Sequence, residues 1–115
     1  MGEQIISLSW SELDAVIDLV ERGLSAQGFP TILRLRTQMV IEEIFATALA
    51  SPGAEGAKMR CTLPAPRTVQ LQCRSQHPAF APEWDEVRAL VENGSTYGLK
   101  LTEGQDGWVI LLGEK

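Results

Sequence analysis

The chain is 115 residues long, 44% apolar and 22% charged, which fits one ordinary globular domain able to bury a core. Its formal net charge of −5 argues against nucleic acid or an anionic membrane surface as a principal partner and leaves room for a basic protein partner. No apolar run approaches the roughly 20 residues that span a bilayer, and the opening MGEQIISLSW lacks a basic stretch ahead of an apolar block, so the cytoplasm is the expected compartment.

Gln4–Leu8 alternates weakly and reads as a first strand. Ser9-Trp10-Ser11-Glu12 fits a capping box, Ser followed three residues later by Glu, ahead of a helix over Trp10–Ala26. Leu13, Val16, Ile17, Val20 and Leu24 give that helix one apolar stripe, so it packs on one side. Gly28 is a natural left-handed stop and Pro30 starts the next element.

The second helix, Thr31–Ala50, is the longest, and its apolar residues wrap most of its circumference. Such a helix is expected to be buried on several sides. It nevertheless carries two adjacent acids, Glu42 and Glu43, at its middle. Helical neighbours point about 100° apart, so Glu43 shares a stripe with Arg36 and Thr47, and Glu42 one with Leu35, Gln38 and Ala46. A carboxylate in so apolar a stretch must find a partner, reach solvent or line a pocket.

Ser51-Pro52-Gly53 ends the helix, and Ala54–Lys58 reads as a small loop. Met59–Leu63 and Val69–Cys73 alternate with period two around Pro64-Ala65-Pro66-Arg67, the pattern of an antiparallel hairpin with one face buried. Arg74–Pro82 is irregular. Glu83–Asn93 reads as a short helix with Trp84, Val87, Leu90 and Val91 inward and Asn93-Gly94 closing it. Its acids Asp85 and Glu86 suit the positive end of the helix dipole. Leu99–Leu101 and Trp108–Leu112 are the last two strands, joined by a turn at Gly104–Gly107. The order β-α-α-β-β-α-β-β predicts a single α+β domain over residues 1–115, a two-layer sandwich with a mainly antiparallel sheet and helices on one face.

Cys61 and Cys73 lie inside predicted strands without metal-ligand spacing and read as small apolar residues. His77 is the only histidine, and no Ser or Cys stands in sequence as its partner in catalysis. Trp10, Trp84 and Trp108 read as core and edge aromatics rather than a platform for bases.

Ser9–Ala50, with SELDAVIDLVERGLSAQGFP and then MVIEEIFATALA, resembles the start of the histidine-kinase-like ATPase superfamily in its anti-sigma-factor serine kinase branch. Those domains open with a strand, a helix beginning Ser/Pro-x-x-Glu-Leu, a Gly-x-Pro turn and a long helix carrying Glu-x-x-x-Asn. The resemblance implies that the Glu, here Glu43, orients or activates the nucleophile. The Asn that would bind magnesium is replaced by Thr47. After the hairpin the family has Asp-x-Gly ahead of an apolar or Pro-Phe pair. Aligned on Phe80, Ser75 stands where the Asp would receive the adenine amino group, and His77 where the Gly would let backbone approach the ring. The family's glycine-rich lid ends in Gly-Leu-x-Leu, which Gly94–Leu101 mimics, but Gly104 follows too soon for the helix that should come next. Glu83–Asn93 therefore corresponds to the family's third helix, entered directly from Pro82, and the lid is read as deleted.

The expectation is a degenerate, non-catalytic member, without a cofactor, serving as a protein-interaction or regulatory module in bacterial signalling. The resemblance implies a sigma-factor or anti-anti-sigma-like regulator as partner, and a homodimer through the first strand and first helices. The alternative is a divergent ATP-dependent serine kinase that binds ATP and magnesium, keeps Glu43 and tolerates Thr47. The simplest structural role for Glu43 is that of a paired or semi-exposed carboxylate, with Arg36 on the preceding turns as a candidate partner, and another small ligand in the emptied groove stays open.

Overall fold

The computed structural model describes residues 3–7, 9–93, 99–103 and 107–112. In chain order the elements are β1 (Glu3–Ser7), α1 (Leu13–Ala26), α2 (Thr31–Leu49), β2 (Lys58–Thr62), β3 (Thr68–Arg74), α3 (Asp85–Asn93), β4 (Leu99–Glu103) and β5 (Gly107–Leu112). The expected order therefore holds. The strands form one sheet in the order β1-β2-β3-β5-β4, with every neighbouring pair antiparallel. Because β3 and β4 both run antiparallel to β5 between them, the chain crosses from β3 through α3 to a strand of the same direction. The stop at Gly94, the Gly94–Gly98 stretch, the turn at 104–106 and the end of the first strand at Leu8 lie outside the described residues.

Period-two alternation decides which face of the sheet is covered. Met59 and Cys61 of β2, Val69, Leu71 and Cys73 of β3, and Trp108, Ile110 and Leu112 of β5 are buried. They meet Val16, Val20 and Leu24 of α1, Val40, Ile41, Ile44, Phe45 and Ala48 of α2, and Val87 of α3 in one core. Helix α2 packs against both other helices and so forms the middle of the helical layer. Both cysteines are free and buried, as small apolar residues would be, with Cys73 Sγ 3.7 Å from Met59 Sδ.

Helix α1 ends in a Schellman arrangement: Phe29 N–H donates to Leu24 O at 3.2 Å and Gly28 N–H to Ser25 O at 3.0 Å, with Gly28 at φ +84°. Arg34 then ties the two helices together, donating to Glu21 Oε2 at 2.8 Å and to the carbonyl of Phe29. The hairpin turn runs through Pro66 and Arg67, with Thr68 N–H donating to Ala65 O at 3.2 Å. Arg67 sits at φ +62°, the conformation that the third position of a type II turn requires.

Three expectations change. The capping box does not form: Trp10–Glu12 is a 3₁₀ turn, Ser9 makes no side-chain cap, and its Oγ lies 3.0 Å from Ser11 Oγ instead. The tighter turn brings Glu12 N–H to the Ser9 carbonyl, so the backbone supplies the cap. Helix α3 begins at Asp85, two residues later than expected, because the residues after Pro82 stay irregular until Trp84, whose carbonyl accepts from Arg88 N–H at 3.0 Å. Finally, α2 is not covered all round. Ile32, Leu35 and Met39 lie on its outer ridge at 47%, 50% and 49% exposure, since no described element covers that side of the helix.

Candidate functional site

The second half of α2 places Glu43 and Thr47 one turn apart, where a spacing of four puts two side chains on one face. Both are half-buried. They face the start of α3 across a groove of about 400 Å³, with Ser51, Ala81, Glu83 and Glu86 on its other walls. Three carboxylates thus share this groove with the Thr47 hydroxyl, and none of its lining residues is basic. Ion pairs among the described residues join Arg22 to Asp18, Arg34 to Glu21 and Arg88 to Asp85, and Arg36 has an interaction within the chain as well.

Ser75, His77 and Phe80 lie in a different, larger groove of about 1050 Å³ beyond the ends of β2 and β3. Lys58, Arg74 and Trp84 line it as well. Only Ala81 borders both grooves. Of the site residues expected from sequence, Glu43 and Thr47 line the smaller groove and Ser75, His77 and Phe80 the adjoining larger one.

Internal hydrogen bonds hold that segment in place. Ser75 Oγ donates to Gly53 O at 2.8 Å and accepts from His77 N–H at 3.1 Å, so its single proton is committed. His77 Nδ1 accepts from Ala79 N–H at 3.1 Å, which leaves the ring proton of the neutral form on Nε2. Ser51 Oγ accepts from Ala81 N–H at 2.8 Å. These bonds stitch residues 75–81 to the turn that follows α2. Gly53 makes the fit possible: it adopts φ +77°, and a side-chain carbon there would come within 2.9 Å of the His77 ring. In sequence Ser51 and Gly53 read only as a helix stop, since nothing local marks them as partners of residues 22 and 30 positions later.

Phe80 and Trp84 pack on the core from this segment. Trp84 meets Trp108 edge to face, with ring centroids 5.5 Å apart and planes at 87°. Trp108 Nε1 is buried without a hydrogen-bond partner among the described residues. An aromatic face is a weak acceptor for such an N–H.

The described residues contain no group of three His, Cys, Asp or Glu side chains placed to hold a metal ion. The groove at Glu43 and Thr47 is lined by carboxylate and hydroxyl oxygens, with no Lys or Arg among its lining residues to meet a phosphate directly. No helix among the described residues is long and apolar enough to cross a membrane. No family model and no curated protein sequence matches the chain.

Proposed function

We propose that this chain is a nucleotide-independent relative of the histidine-kinase-like ATPases, of the anti-sigma-factor type, which acts by binding another protein. The order β-α-α-β-β-α-β-β agrees with what the sequence resemblance implies, and only residues 75–84 join β3 to α3, too short a stretch for a lid. One observation carries the non-catalytic reading: the Ser75 hydroxyl, at the position of the family's adenine-reading Asp, is spent on Gly53 O and His77 N–H. The neighbouring groove adds to it, since Glu43, Glu83 and Glu86 together repel phosphate.

The test is a thermal-shift titration with ATP and Mg²⁺ at millimolar concentration. No shift is expected. A ligand at 100 times its dissociation constant would stabilise the chain by about 2.7 kcal/mol. A shift of that size, lost in Glu43→Ala, would restore the kinase reading.

A further inference from the structure

The hairpin from Lys58 to Arg74 carries Lys58, Arg60, Arg67 and Arg74 and no acid, in a chain of net charge −5. All four cations are exposed. The alternation that buries Met59, Cys61, Val69, Leu71 and Cys73 sends Lys58, Arg60 and Arg74 to the sheet face turned away from the helices. The register sets Lys58 directly opposite Arg74, with Arg60 opposite Gln72. Each of the four also makes an interaction within the chain, so a docked carboxylate would add to or replace a bond already made. Lys58 and Arg74 also line the larger groove, whose walls include Phe80, Pro82 and Trp84 and one acid, Glu55.

We propose that this basic corner of the sheet docks an acidic segment of a partner protein. Its carboxylates meet Lys58, Arg60 and Arg74, and an apolar side chain seats against Phe80 and Trp84. Charge complementarity favours an acidic occupant here although the chain as a whole is acidic. A nucleic acid fits less well. Sheet readers of single strands stack bases on aromatic rings, whereas the outward residues of β2, β3 and β5 are Thr62, Thr68, Gln70, Gln72, Val109 and Leu111 beside the cations. Trp108 belongs to the covered face.

This inference rests on the protein-binding reading, but its test contains no nucleotide, so the two fail in separate measurements. The probe is a short fluorescein-labelled peptide alternating Glu with Phe and Leu, titrated with the full chain and followed by anisotropy. Saturable, salt-sensitive binding is expected, weakened at least ~10-fold, or about 1.4 kcal/mol, by Arg60→Glu or Arg74→Glu. Arg22→Glu makes the same change of net charge on the helical side, where Arg22 pairs with Asp18, and should weaken binding far less. Circular dichroism checks that each variant folds. Three results would overturn the proposal: no binding of the peptide, equal loss in Arg22→Glu, or tighter binding of a single-stranded or duplex oligonucleotide at the same residues. Concentration-dependent self-association removed by Arg74→Glu, without competition from the peptide, would also overturn it by assigning the face to a second copy.

Discussion

At the scale of single residues, Ser75 and Cys61 make opposite kinds of prediction. Ser75 holds two backbone groups, the Gly53 carbonyl and the His77 N–H, on one hydroxyl. Ser75→Ala leaves both to find water in a half-buried place, so a loss of about 1 kcal/mol is expected from denaturant unfolding. Gly53→Ala should cost more than Ser75→Ala, because it adds a left-handed strain and a clash with His77 to the same stitch. Equal stability of the two variants would mean that the stitch does not hold the segment. Cys61 acts through pH. Burial pushes its thiol from 9.0 up to about 12, so in the unfolded chain it loses its proton first. Its contribution is fully present below pH 9 and is lost as the pH rises from 9 toward 12. The fall is at most about 1.4 kcal/mol per pH unit for one proton. Cys61→Ala should flatten the decline over that window, and an unchanged slope would assign the alkaline loss to other groups.

At the scale of elements, β2, β3, β5 and α1 are legible because their apolar period matches their geometry. Val69, Leu71 and Cys73 alternate and are buried, and Leu13, Val16, Ile17, Val20 and Leu24 repeat at helical spacing and face the core. What could not be read was anything set by distant neighbours. The outer ridge Ile32, Leu35 and Met39 is apolar like the inner one, and it is exposed because no described element covers it. The separation of Glu43 and Thr47 from Ser75 and His77 depends on where residues 77–82 cross, fixed by Ser51 and Gly53. Thr37 shows the same limit. It is fully buried in α2 and satisfied within its own helix, its Oγ1 donating to Leu33 O at 2.8 Å. Thr37→Val keeps the volume and removes a hydroxyl whose acceptor is already a helical carbonyl. It should change stability by less than about 1 kcal/mol, whereas Thr37→Ala opens a void and should cost more. Both are read from the urea midpoint, and a large loss in the valine variant would mean that the hydroxyl has a second role.

At the scale of the whole molecule, charge is unevenly spread over the elements. The three helices and the 3₁₀ turn before them hold nine acids against four arginines, while the β2–β3 hairpin holds only cations. Like charges crowded on one layer destabilise the compact state, and salt screens them. Three carboxylates, Glu43, Glu83 and Glu86, line one groove. The melting temperature is therefore expected to rise by a few degrees as NaCl increases from ~0.02 M to ~0.5 M, where the Debye length shortens several-fold. The double variant Glu43→Gln, Glu86→Gln removes the repulsion without emptying the groove. It should start higher at low salt, gain less on salt addition and converge on the parent at high salt. Parallel melting curves for the two chains would show that the groove's carboxylates are already far enough apart for water to screen them. In that case the acids of the groove would give no reason to exclude an anionic ligand, and the nucleotide question would rest on Ser75 alone.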